Sequence, residues 1–111
     1  MSYEILTIPP FDKQIKRLVK KYPSLKEEYS GLIGQLEINP RLGKALINNC
    51  YKIRLAIKSK KKGKSGGARV ITHVQVDEAR VILLTIYDKS EKINISDKEI
   101  KYLLSFIEDT P

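Results

Sequence analysis

The hydrophobic positions along the chain change period several times, and each change marks an element. Residues 3–8, Tyr3-Glu4-Ile5-Leu6-Thr7-Ile8, read as a short strand closed by Pro9-Pro10. Phe11, Ile15, Leu18, Val19 and Tyr22 then recur at helical spacing, with Lys13, Lys16, Arg17, Lys20 and Lys21 around the remaining surface. Asp12 favours the first turn of this helix, and Pro23 ends it by forcing its predecessor out of the helical region. Ser24-Leu25-Lys26-Glu27 reads as a capping box for a second helix, whose apolar stripe is Leu25, Tyr29, Leu32, Ile33 and Leu36. Gly31 and Gly34 weaken that helix by roughly 1 kcal/mol each relative to alanine, and Asn39-Pro40 stops it. Two helices joined by so short a turn form an antiparallel hairpin.

Residues 41–50 read as a connector. From Tyr51 the period becomes 2, with Tyr51, Ile53, Leu55 and Ile57 on one side and Lys52, Arg54, Ala56 and Lys58 on the other. A Lys/Gly/Ser loop fills residues 58–67. A second strand runs from Arg69 to Val76, with Val70, Thr72, Val74 and Val76 on one face and Arg69, Ile71, His73 and Gln75 on the other. Residues 77–80 make a tight turn, and Val81 to Tyr87 is a third strand, apolar on both faces and therefore central. Ser96-Asp97-Lys98-Glu99 is another capping box, followed by Ile100, Leu103, Leu104 and Ile107 at helical spacing. The pattern predicts an α+β fold in one domain over residues 1–111: an N-terminal strand, a helical hairpin, an antiparallel three-strand meander and a C-terminal helix.

If the helices cover the face of Ile53, Leu55, Val70 and Val74, the opposite face carries Lys52, Arg54, Arg69 and His73, with Thr85 and Tyr87 from the third strand. Lys89 follows just past its end. A bulge between Gly66 and Arg69 would break this alternation.

Charge sharpens that picture. Residues 51–69 hold Lys52, Arg54, Lys58, Lys60, Lys61, Lys62, Lys64 and Arg69, and no acid. These eight cations equal the formal net charge of +8, because the other 13 of the 21 basic residues balance the 13 acids. A field concentrated in this way steers polyanions, with nucleic acid the first candidate. Cations, a histidine and a tyrosine on a sheet make a platform for phosphates and stacked bases. The lysines at 58, 60, 61, 62 and 64 hang beside that platform as candidate RNA contacts.

Other classes are disfavoured. No apolar run reaches the roughly 18 residues of a membrane span, and no signal-peptide pattern opens the chain, so the expected compartment is the cytoplasm. Cys50 is the only cysteine and reads as a small, inert, partly buried residue. No Cys/His or acidic cluster has metal-ligand spacing, so neither metal nor cofactor is expected. Gly63-Lys64-Ser65 lacks the earlier glycine of a phosphate-binding loop, Lys58 standing in its place, and it joins two strands instead of opening a helix.

Four segments carry a family resemblance. They are Asn39-Pro40-Arg41-Leu42-Gly43, Tyr51-Lys52-Ile53-Arg54-Leu55, the run from Gly63 to Ile71 with its Gly-Lys-Ser-Gly-Gly-Ala-Arg-Val-Ile, and Leu83 to Glu91 with its Tyr-Asp-Lys-Ser-Glu. Together they resemble the RelE/HigB-type toxins of bacterial type II toxin–antitoxin modules, and most of all the HigB2-like branch, whose loop is longer than in RelE proper. The resemblance spans nearly the whole chain. It implies a ribosome-dependent mRNA endonuclease held inactive by a cognate antitoxin, with the 30S A site and mRNA as further partners. It maps the family's basic pair to Lys52 and Arg54, the arginine opening the next strand to Arg69, and the basic residue after the last strand to Lys89. Ile93-Asn94-Ile95 stands where RelE proper carries a catalytic tyrosine, and HigB2-like chains often carry a tyrosine where this chain has Thr72 or His73.

Metal-independent RNA cleavage needs a base for the 2′-OH, charge stabilisation at phosphorus and a proton for the leaving 5′-oxygen. On this reading Arg54 and Arg69 hold the phosphate. Lys52 or Lys89, with its neutral form favoured by neighbouring cations, moves protons. His73 or Tyr87 stacks or donates a proton. Two alternatives are a ParE-like toxin of the same fold that inhibits DNA gyrase, and a non-catalytic RNA-binding domain.

Overall fold

A computed structural model describes residues 2–61, 63 and 66–107. Strand β1 is Glu4–Thr7, followed by helices α1, Pro9–Lys21, and α2, Leu25–Ile38. Then come β2, Lys44–Ala45, β3, Cys50–Leu55, a 3-10 turn at Lys58–Lys60, β4, Ala68–Gln75, β5, Arg80–Asp88, and α3, Asp97–Leu104. The expected order of elements is present, but the sheet has five strands in the order β1-β5-β4-β3-β2. The meander is β3-β4-β5. Its outer additions are β1, parallel to β5, and the two-residue β2, antiparallel to β3. β2 lies in the segment read as a connector. Two residues are too few to show a period.

Pro9 and Pro10 occupy the first helical positions of α1, with Ile8 as N-cap, so they start the helix as well as ending the strand. Ser24 corrects an expectation, for its side chain makes no cap and it is not half of a capping box. Its hydroxyl accepts from the Ser59 N–H at 2.9 Å while the Ser59 hydroxyl accepts from the Ser24 N–H at 3.0 Å. The Lys58 N–H donates to Glu28 Oε2 at 2.6 Å. These bonds seat the start of the lysine loop on the turn of the helical hairpin. The second capping box is formed, Ser96 accepting from the Glu99 N–H and Glu99 from the Ser96 N–H.

β5 lies between β1 and β4, and Val81, Leu83, Leu84 and Ile86 are fully buried. β1 covers only Arg80–Leu83 of its edge. α1 runs along the remainder. Thr85 and Asp88 point to opposite faces, yet the Thr85 hydroxyl donates to Gln14 Oε1 at 2.6 Å and Tyr22 OH to Asp88 Oδ2 at 2.7 Å. α2 covers the face of Ile53 and Leu55, with Leu32 and Leu36 buried. α3 lies on the other face, with Leu103 beside Thr85 and Tyr87. The helices therefore do not share one side of the sheet. The face expected to be open is half covered, and Ile71 upon it is fully buried.

The alternation of β4 survives. The register shift falls between Ile71 and Thr72, where Ile71 faces Thr85 and Thr72 faces Leu83, so Leu84 is the extra residue, on β5.

Candidate nucleic-acid interface

Cross-strand pairing sets the rows of the site, because residues directly opposite one another share a face. Arg54 pairs with Arg69, and Arg69 with Tyr87. One row further along, Lys44 pairs with Lys52, Lys52 with Ile71, and Ile71 with Thr85. The Lys89 N–H donates to Gly67 O at 3.0 Å, which continues the ladder past Asp88 and leaves Lys89 on the same face as Tyr87. Lys52, Arg54, Arg69, Tyr87 and Lys89 are therefore brought together at one end of the sheet. Lys44 joins them. Sequence reasoning missed it because it sits on β2, and the one signal available was its basic side chain just after Gly43.

The members differ in burial. Arg54 is exposed, Lys52 and Lys89 are half-buried, and Arg69 and Tyr87 are only 4% and 5% exposed. Arg69 Nη1 donates to Ala68 O at 3.1 Å. A guanidinium packed in this way is fixed in direction. Burial lowers the Lys52 pKa, and the positive charges of Lys44, Arg69, Arg54 and Lys89 lower it further. Its Nζ donates to Asn94 Oδ1 at 3.4 Å. Burial raises the Tyr87 pKa, against the pull of Arg69 and with that of Glu99. Lys92 Nζ lies 5.8 Å from the Tyr87 ring centroid and is paired with Glu99. The Tyr87 hydroxyl is buried with no hydrogen-bond partner among the described residues.

His73 is not brought to this end. It lies four residues from Arg69 along β4, about 13 Å at the usual strand rise. It faces Cys50, and its Nδ1 donates to Asn48 O at 2.9 Å. Burial lowers its pKa, against that bond. Cys50 Sγ is 3.7 Å from the same nitrogen, but a nitrogen that donates to a carbonyl cannot take the thiol proton. Burial pushes the thiol up to about 11, so the pair does not form a nucleophile.

The lysine loop divides. Lys58 and Lys61 are exposed. Lys62 and Lys64 lie outside the described residues. Lys60, expected with them on the phosphate side, turns inward. Its Nζ is 2.5 Å from Asp88 Oδ1, with side-chain exposures of 6% and 0%. Burial alone would raise the Asp88 pKa. The hydrogen bonds from Lys60, Tyr22 and Ser90 outweigh it and hold the carboxyl well below the usual carboxylate range. Nothing in the sequence marked Asp88 beyond its being an acid between Tyr87 and Lys89.

Among the described residues no three His, Cys, Asp or Glu side chains converge as metal ligands, and no helix is long and apolar enough to cross a membrane.

No protein-family model matches the chain. Its backbone is similar to solved structures. One is a double arginine-to-alanine mutant of the E. coli toxin RelE in the free state, with TM-score 0.61 and 15% identity over 96% of this chain and 99% of that one. Another is the isolated E. coli RelE toxin, with TM-score 0.56 and 16% identity over 94% and 98%. The chain has the fold of the RelE toxin, an α+β sheet with α1 along the edge of β5, α2 on one face and the C-terminal helix on the other.

Proposed function

We propose that the chain is the toxin of a type II toxin–antitoxin pair and an endoribonuclease that cuts mRNA in the A site of the 30S subunit. The observation that carries this reading is the cationic corner itself. Lys52 is half-buried among Lys44, Arg54, Arg69 and Lys89, with its charged form disfavoured, beside a buried arginine fixed in direction. The RelE fold supports it. The segment joining β3 to β4 is long, in keeping with the HigB2-like branch.

The chemistry follows from the arrangement. Neutral Lys52 takes the proton of the 2′-OH as that oxygen bonds to phosphorus. Arg69 and Arg54 stabilise the negative charge that develops on the phosphoryl oxygens. The P–O5′ bond breaks, and Lys89 gives a proton to the departing oxygen. The products are a 2′,3′-cyclic phosphate and a 5′-hydroxyl, with Lys52 left protonated and Lys89 neutral. No step calls on a metal. Tyr87, kept neutral by burial, donates or stacks at the edge of the site. Lys58 and Lys61 engage phosphates along the strand.

An antitoxin of complementary charge would neutralise a +8 chain, and the cytoplasm is where translating ribosomes are met. The test is incubation of the purified chain with ribosomes stalled on a defined message. Cleavage ending in a cyclic phosphate, absent without ribosomes and lost in Lys52→Gln, is expected. Intact message alongside inhibited gyrase would place the chain with the ParE-like toxins. Binding without cleavage would leave a passive RNA-binding domain.

A further inference from the structure

Between α1 and α3 lies a cleft of about 700 Å³ whose floor is formed by Thr85 and Tyr87. It shares Tyr87 with the candidate site, where Tyr87 pairs with Arg69 in the row described above. Its walls are apolar, with Pro10 on the α1 side and Leu103 on the α3 side. Tyr102, 63% exposed, and Phe106 meet edge to face at 5.3 Å between centroids. An aromatic pair left this open on a small domain has a π-face to offer.

The polar groups of the cleft have a consistent character. The Thr85 hydroxyl donates to Gln14 Oε1, which leaves the hydrogens of the Gln14 amide nitrogen for another acceptor. The Tyr87 hydroxyl has no partner among the described residues. A buried hydroxyl without a partner is disfavoured, so a ligand that supplies an acceptor is favoured by that amount. Glu99 is already occupied by Lys92 and by the Ser96 N–H, so the acidic group of the cleft is not the one offered. At the rim Lys13 carries positive charge, while Arg17 is paired with Glu91 at 2.9 Å.

A flat ring between apolar walls, an acceptor-rich edge against Gln14 and Tyr87, and a phosphate at a cationic rim are the features of one nucleotide of single-stranded RNA. We infer that the α1–α3 cleft is a base-binding subsite, which takes the base of a nucleotide neighbouring the scissile phosphate and stacks it against Tyr102. This rests on the proposed function for the identity of the strand, but the site itself is independent of cleavage.

The experiment is titration of the full isotope-labelled chain with AMP, GMP, CMP and UMP, followed by NMR, against ribose 5-phosphate and a glutamate-rich helical peptide. Mononucleotides are expected to shift the Gln14 side-chain amide and the Tyr102 ring. Tyr102→Ala, at an exposed position where folding is not at risk, is expected to weaken them about tenfold, the scale of one stacked base. Ribose 5-phosphate is expected to move only the Lys13 end. Equal shifts from ribose 5-phosphate would reduce the cleft to a phosphate site and overturn the inference. So would an unchanged Kd in Tyr102→Ala, or shifts by the peptide in place of the nucleotides. If nucleotides bind in the cleft but no message is cut, the nuclease reading fails and this one stands. If message is cut and nucleotides leave the cleft unmoved, the reverse holds.

Discussion

Lys60 Nζ and Asp88 Oδ1 meet at 2.5 Å inside the protein, so one lysine of the basic run faces inward. Asp88 also accepts from Tyr22 OH and from the N–H and hydroxyl of Ser90. The carboxylate thus ties the lysine loop, the end of α1 and the last residue of β5 into one node, immediately between Tyr87 and Lys89. Removing one partner leaves a buried charge without its counter-ion. Lys60→Met or Asp88→Asn should each cost about 3–5 kcal/mol, and the paired replacement Lys60→Met with Asp88→Leu much less. Urea unfolding of the three variants checks this.

The same node gives a pH dependence. The folded pKa of Asp88 is depressed below its unfolded value. Its contribution to stability is therefore complete above the unfolded value, near 4 for an ordinary aspartate, and is lost as pH falls through the folded value. Unfolding midpoints should decline on acidification below about pH 4. The decline should be shallower in the doubly apolar variant, which has no carboxyl at this node to protonate.

Lys52 titrates in the opposite sense for activity. On the proposed mechanism its neutral form is the base, so cleavage should fall as pH drops below its lowered pKa. Added salt screens Lys44, Arg54, Arg69 and Lys89, which raises that pKa and moves the inflection upward. Lys52→Gln should reduce single-turnover cleavage by about 10²–10⁴ and remove the inflection. Pre-steady-state cleavage on stalled ribosomes, followed across pH at two ionic strengths, reads both effects.

Gly43 holds β2 against β3. Its φ is +102°, and a Cβ there would lie 2.4 Å from Lys52 O. Neither the dihedral nor the backbone oxygen can yield cheaply. Gly43→Ala should cost roughly 1–3 kcal/mol in strain and displace the strand that carries Lys52. Activity should fall further than for the exposed control Ser30→Ala. Thermal melting and cleavage rate together test it.

His73 is the converse case. It was a candidate from the sequence because it shares a face with Arg69, and it does share that face, at the far end. Its Nδ1 serves Asn48 O. His73→Gln should keep cleavage within about twofold, as expected of a group that does not touch the reacting atoms. A loss as large as that of Lys52→Gln would return it to the site.

Much of the fold was legible because it rests on long periodic segments. The stripe Phe11-Ile15-Leu18-Val19-Tyr22 and the alternation from Tyr51 to Leu55 each repeat enough times to fix element and face. The cationic corner followed directly, since Lys52, Arg54 and Arg69 needed only that alternation and a regular pairing. The omissions have physical causes. β2 is two residues long and held by a glycine's close approach, which leaves no pattern. Ser24 has the spacing of a capping box, but its hydroxyl is taken by Ser59, a tertiary contact no local rule contains. Lys60 looks like its neighbours in a lysine run, and only Asp88, 28 residues later, decides that it turns inward. The placement of α3 over Tyr87 depends on which face an amphipathic helix chooses, and both faces of the sheet offered apolar surface.

The most direct test of the central claim is to induce the chain alone in bacteria and map the 5′ ends of cellular mRNA, with Lys52→Gln, confirmed as folded, beside it. Cuts confined to translated frames in the wild type and absent from the variant are the predicted result. Intact messages in cells that stop growing, or cuts that persist in Lys52→Gln, would contradict it.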